Sequence, residues 1–143
     1  MNKSLYARIS GAVALGAVLS PAIGVGVSAE AAQPVRISAV QYDSPGSDTG
    51  GNRSLNAEWV RITNHGSRKR VLTDWTLRDA ADHVYRFGTF ALGPGQSVRV
   101  HTGSGRNTRT DRYWGSGWYI WNNDHDRATL KNRRGIVVSR ASW

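Results

Sequence analysis

The sequence predicts an all-β domain, a sandwich or barrel of short strands. Brief segments alternate apolar and polar residues, clusters of Gly, Pro, Asn, Asp and Ser separate them at regular intervals, and no window sustains a 3.6-residue period. A length of 143 residues suits one domain after any targeting segment, and neither an internal repeat nor a second domain is visible.

The chain opens on Lys3 and Arg8 without an acid, and residues 9–29 then run without a charge, rich in Ala, Val, Leu and Gly. Small-x-small exits lie at Val27-Ser28-Ala29 and Ala29-Glu30-Ala31. A basic start, an apolar middle and such an exit describe a secretory signal peptide over residues 1–29. A membrane anchor is the competing reading, because about 20 apolar residues suffice to span a bilayer. Pro21 and the cleavage-like exit favour removal, so the expectation is a secreted, extracellular protein, held at the cell surface, if at all, by non-covalent contacts.

The strands follow in order. Residues 35–42 alternate, the period of a strand with one buried face. A polar loop at 43–52 is dense in turn formers, and Val60 and Ile62 then share one face of a strand over 58–63. Residues 71–78 form the third candidate and 83–87 the fourth. The Pro94-Gly95 turn leads into 97–102, with Val98 and Val100 on one face. A basic, Gly-rich loop spans 103–112, and 118–121, 128–130 and 135–139 complete the set.

The absence of cysteine excludes disulfides, Cys-ligated zinc, iron–sulfur clusters and thiol nucleophiles. The balance is basic, 19 Lys+Arg against 10 Asp+Glu, and every basic residue except Lys3, Lys69 and Lys131 is Arg. Removing residues 1–29 takes away Lys3 and Arg8, so 17 basic against 10 acidic side chains leave a net charge of +7.

Several blocks resemble one family. Asn56-Ala57-Glu58-Trp59-Val60-Arg61-Ile62-Thr63-Asn64 is similar to the N-x-E-W-V-x-I-x-N opening of the lamin-tail domains. Trp75-Thr76-Leu77-Arg78-Asp79, Leu92-Gly93-Pro94-Gly95 with Val98-Arg99-Val100, and Gly103-Ser104-Gly105 resemble later blocks. So do Trp121-Asn122-Asn123-Asp124-His125-Asp126 with Ala128-Thr129-Leu130, and Gly135-Ile136-Val137-Val138. The resemblance covers residues 35–143 and implies an immunoglobulin-like β-sandwich of the lamin-tail type, a non-catalytic interaction module known in nuclear lamins and in secreted bacterial proteins. Two positions depart from the pattern, Asp74 and His125, each standing where the family has Gly. Both put side chains into turns that glycine fits best.

Chemical candidates are few. Asp124-His125-Asp126 could offer alternating oxygens to a hard cation, as could Asp43, Asp48 and Glu58, but the EF-hand spacing with its distal Glu is absent. A hairpin turn whose Asn and Asp side chains bond their own backbone explains the first cluster better. No metal and no cofactor is expected. His65, His83, His101 and His125 form no H-x-x-x-H pair, and Ser104 lacks the G-x-S-x-G frame.

The basic segments carry the functional signal. Arg68-Lys69-Arg70 fill one turn, Arg106, Arg109 and Arg112 one loop, and Lys131, Arg133 and Arg134 another. The planar guanidinium grips oxyanions with two parallel donors. Trp114, Trp118 and Trp121 follow the Arg loop, and cations alternating with aromatic faces suit a polyanion lying in a groove. Trp121 sits at a family-motif position, so Trp114 and Trp118 are the expected exposed contacts. The predicted ligand-binding set is Arg68, Lys69, Arg70, Arg106, Arg109, Arg112, Trp114 and Trp118. The expected partner is an anionic polymer: a wall polymer, DNA, or acidic polysaccharide. The alternatives are a protein partner paired through a sandwich edge and a small metal-dependent hydrolase using His101 or His125. The polymer reading requires the separate basic segments to converge on one surface.

Overall fold

The computed structural model describes residues 33–143, and the signal peptide expected at residues 1–29 lies outside them. The chain runs β1 (Val35–Gln41), α1 (Asn52–Asn56), β2 (Trp59–Asn64), β3 (Arg70–Val71), β4 (Thr76–Arg78), β5 (Val84–Arg86), β6 (Ala91–Leu92), β7 (Ser97–His101), β8 (Asp111–Tyr113), β9 (Arg127–Lys131) and β10 (Val137–Ser142). Two four-stranded sheets, β1-β2-β7-β8 and β10-β9-β4-β5, face each other, and a short ribbon of β3 and β6 stands apart. This is an immunoglobulin-like β-sandwich, as the strand periodicity and the motif resemblance anticipate.

Alternation builds the core. Val60 and Ile62 of β2 and Val98 and Val100 of β7 turn inward to meet Leu77 and Leu130 of the opposite sheet, and all are essentially inaccessible to water. Register follows from this, because a one-residue slip would carry the whole apolar set to the wet face. β1 pairs with β2 and β2 with β7, both antiparallel. The Ile37 N–H reaches the Ser139 hydroxyl at 3.1 Å, tying β1 to β10 across the seam between the sheets.

The structure departs from the sequence reading in four places. The strand expected over 71–78 is two, because Leu72, Thr73, Asp74 and Trp75 make a tight turn closed by the Trp75 N–H on the Leu72 carbonyl at 2.9 Å. Asp74 takes φ +65°, the left-handed conformation for which glycine is the usual choice, whereas His125 adopts no positive φ and needs none. Residues 118–121 form no strand, since the Ile120 and Trp121 N–H groups are spent on the Glu58 side chain. The supposed loops contain α1 and also β8, an edge strand that runs parallel to β7 after the 102–110 crossover.

Candidate polyanion-binding surface

The basic turn is anchored from inside. Asn64, the last residue of β2, is fully buried, and its amide nitrogen donates to the carbonyls of Arg68, Leu92 and Gly93 at 2.8, 3.0 and 3.2 Å. Its Oδ1 accepts from the Gly66 N–H at 3.0 Å. One side chain therefore fixes both the turn that presents Arg68 and Lys69 and the far strand of the ribbon. Arg70 pairs with Leu92 and Val71 with Ala91, so the turn has a rigid base.

Two clefts flank this ribbon. One, of about 570 Å³, is lined by Lys69, Val71, Thr73, Phe90, Gln96 and Arg109 among others. The other, of about 360 Å³, is lined by Val71, Thr73, Asp74, Trp75, Arg133, Arg134 and Ile136. Val71 and Thr73 belong to both. Each of the basic segments singled out in the sequence thus sends at least one cation to the same end of the sandwich: Lys69 from the turn, Arg109 from the crossover loop, and Arg133 and Arg134 from the β9–β10 turn.

These charges are not neutralised locally. Among the described residues, Arg68, Lys69, Arg70, Arg106, Arg109, Arg133 and Arg134 have no carboxylate within ion-pairing distance. Asp74 lines the second cleft without forming an ion pair, and several other acids are occupied elsewhere. Asp82 meets Arg78 at 3.2 Å, Asp79 meets His83 at 2.6 Å, and Asp111 meets His101 at 2.7 Å. Asp126 accepts the backbone N–H groups of Ala80, Arg127 and Asn122 at 3.0, 2.7 and 2.9 Å. Asp126 therefore ties its own turn to the segment at Ala80, and Asp43 accepts from Asn123 at 3.1 Å.

Arg112 and Trp114 are placed otherwise than the sequence suggested, whereas Trp118 is exposed as expected. Arg112 turns into the sandwich, its guanidinium 4.4 Å from the centre of the Phe90 ring, a packing contact at the open edge rather than a surface one. Trp114 is half-buried and packs 5.9 Å from both Tyr85 and Trp121, so the expectation of an exposed ring fails for it. Trp118 is 62% exposed. It leans on Gly50, just ahead of α1, whose Asn52 and Asn56 hold the Ser104 carbonyl beyond the end of β7. The Lys69–Arg109 cleft sits where β7 begins, so the aromatic ring and that cleft occupy opposite ends of the strand. Arg106 lies on the exposed crossover between them.

The titratable groups with shifted pKa are mostly structural. Glu58 shares the inward face with Val60 and Ile62, a position that alternation alone could have revealed. It is 1% exposed, and burial pushes its pKa up to about 7. His101 is clamped between the Asn56 carbonyl at 2.8 Å and Asp111 at 2.7 Å, and stacks on Tyr113 at 5.0 Å. Partial burial would raise the Asp111 pKa, but hydrogen bonds from Thr110 and His101, with the charges of His101 and Arg99, hold it below the ordinary value. Burial and the neighbouring Arg36 and Arg61 lower the pKa of His65.

A rigid two-sheet sandwich presenting unpaired cations from its connecting segments defines an interaction module. The model of the Lamin Tail Domain family matches residues 28–143, and the chain belongs to that family of non-enzymatic, immunoglobulin-like domains. Among curated proteins, none matches the chain. The N-x-E-W-V-x-I-x-N block now has physical content. Its Asn56, Glu58 and Asn64 hold the crossover, the 120–121 loop and the basic turn respectively.

Proposed function

We propose that this is an exported, non-catalytic module that binds an anionic polymer, a wall polymer, DNA or an acidic polysaccharide, through the ribbon end of its sandwich. The observation that carries the reading is the sharing of Val71 and Thr73 between the two clefts, with Lys69 and Arg109 on one side and Arg133 and Arg134 on the other. Cations from segments far apart in sequence converge on one surface without carboxylate partners, an arrangement that raises the local concentration of anions. Among the described residues the one helix, α1, is five residues long, too short to read a major groove, so any binding to nucleic acid is sequence-neutral.

The test is retention of the protein on immobilised DNA, purified wall polymer and acidic polysaccharide across a salt series. Binding should weaken steeply with salt as counterions are released, and Lys69→Gln/Arg109→Gln and Arg133→Gln/Arg134→Gln should each reduce it at low salt. Indifference to all three polymers at low salt overturns the reading. A protein partner at the same place is the second reading, favoured by Val71 and Ile136, which are 60% and 51% exposed on the cleft walls. Such a contact persists at high ionic strength.

A further inference from the structure

Outside the ribbon, the outer face of the β1-β2-β7-β8 sheet carries an arrangement not evident from the sequence. Arg61 of β2 and Arg99 of β7 are direct cross-strand partners. Their neighbours Val60, Ile62, Val98 and Val100 point into the core, so both guanidiniums emerge on the wet face. Like charges directly opposite on a sheet repel. Neither forms an ion pair among the described residues.

Both side chains are held in place. The Arg99 guanidinium lies 4.4 Å from the centre of the Trp59 ring. Arg61 donates its Nε–H to the Ser38 hydroxyl at 3.0 Å, and that hydroxyl is linked at 2.7 Å to Thr63, which is linked at 2.7 Å to Ser97. This fixed orientation leaves the terminal nitrogens of Arg61 without a hydrogen-bond partner among the described residues. The two arginines line a cleft of about 360 Å³ with Ser97, Thr110 and Asp111. Asp111 is the one carboxylate in that lining, and its oxygens already accept from His101 Nε2 at 2.7 Å and Thr110 Oγ1 at 2.6 Å. Arg36 adds a further positive charge close enough, with Arg61, to act on His65.

We propose that Arg61 and Arg99 form a seat for one tetrahedral oxyanion, a phosphate, phosphodiester or sulfate group gripped between two immobilised guanidiniums. Two guanidiniums lining one cleft can each offer paired N–H donors to such a group. The seat also lies next along the chain from the ribbon cleft: Gln96 and Arg109 line the one, Ser97 and Thr110 the other. A polymer lying against Lys69 and Arg109 therefore passes next over Arg61 and Arg99. This extension to a polymer rests on the function proposed above, whereas the oxyanion seat itself does not.

The experiment follows the arginine Nε–H signals by NMR while inorganic phosphate or sulfate replaces chloride at constant ionic strength. A saturable shift confined to Arg61 and Arg99 is expected, and Arg61→Gln, which leaves the Arg99–Trp59 contact intact, should abolish it at Arg99. Phosphate and sulfate titrated separately show which oxyanion is preferred. If neither ion moves these signals, or both move all exposed arginines alike, the seat is refuted. Long-chain polyphosphate is then bound to the protein, to Arg61→Gln and to Lys69→Gln/Arg109→Gln. About a tenfold loss in each variant supports a continuous track. A loss confined to the ribbon variant leaves the ribbon as the polymer site and refutes the track. If polyphosphate binds none of them while phosphate still shifts Arg61 and Arg99, the polymer reading falls and the seat stands.

Discussion

Thr102 donates a 2.6 Å hydrogen bond to the buried carboxyl of Glu58, and the same oxygen accepts the backbone N–H groups of Ile120 and Trp121 at 2.8 and 3.2 Å. One side chain thus joins the start of β2, the end of β7 and the loop before β9. Burial outweighs these bonds and raises the pKa from 4.5 to about 7. Between those values the folded chain holds more protons than the unfolded one, so stability falls as pH rises. The contribution is complete below about pH 4.5 and gone above about pH 7, and it amounts to roughly 3 kcal/mol. The denaturant midpoint should therefore drop from pH 5 to pH 8, and Glu58→Gln should remove most of that drop. A glutamine variant that keeps the full slope would show that another group is responsible.

Acid should act in the opposite sense through Asp111. Its pKa lies below the ordinary 3.8 in the folded chain, so its contribution is present above that value and lost as pH falls through the folded pKa. Asp111→Asn is expected to destabilise the protein at pH 6 by about 1 kcal/mol, the scale of a charge-assisted bond weakened by the partial exposure of the carboxylate. That deficit should shrink as unfolding is measured at pH values progressively below 3.8.

Asn64 carries more than its size suggests. Three carbonyls share its amide nitrogen. Asn64→Asp replaces the donor with an acceptor and leaves those carbonyls facing a carboxylate, at a cost of about 3 kcal/mol. Asn64→Ala should cost about 2 kcal/mol by the same reasoning. Both variants should also weaken polymer binding, because the turn bearing Arg68 and Lys69 loses its anchor. Calorimetric unfolding and the retention assay measure the two effects independently.

Strands that bury one clean face, such as β2 and β7, were legible because Val60, Ile62, Val98 and Val100 repeat with period two. β8 was not: its residues are all half-buried at a sheet edge, so no alternation marks it. The 118–121 segment resembles a strand in composition, yet its Ile120 and Trp121 N–H groups answer to Glu58, a partner 62 and 63 positions away that periodicity does not register. The basic segments were visible one by one. Their meeting beside Val71 and Thr73 depends on how β3 and β6 stand against the two loops, and the opposition of Arg61 and Arg99 depends on non-local register. Trp114 and Trp118 have the same loop context in sequence, and only tertiary packing separates the ring inside the aromatic cluster from the one outside it.

Salt dependence should sort these residues. Each cation that contacts a polyanion adds close to one to the slope of log affinity against log salt, so Lys69→Gln, Arg109→Gln, Arg133→Gln and Arg134→Gln should each reduce it by about one. Arg112→Gln should instead lower stability through the lost Phe90 contact. Trp118→Ala should leave affinity unchanged, because Trp118 sits at the far end of β7 from the ribbon clefts. Anisotropy titrations at several salt concentrations decide this, and a Trp118→Ala variant that binds much more weakly would place the contact surface elsewhere.

Asp74 joins the turn geometry to the charge of the surface. It holds φ +65° as the third residue of the 72–75 turn, and it lines the cleft with Arg133 and Arg134. Left-handed backbone costs an ordinary residue roughly 1–2 kcal/mol, less for Asp, while glycine escapes that cost but gives up roughly 0.5–1 kcal/mol in unfolded-state entropy. Asp74→Gly should therefore leave the unfolding free energy within about 1 kcal/mol of the parent, and Asp74→Val, which cannot relax there, should lose about 2 kcal/mol. The glycine variant also removes a negative charge from the cleft, so it should bind an anionic polymer more tightly than the parent at low salt, with the gain fading as salt screens it. Unchanged affinity at low salt, in a variant that folds normally, would mean that the Arg133–Arg134 side of the ribbon takes no part in binding.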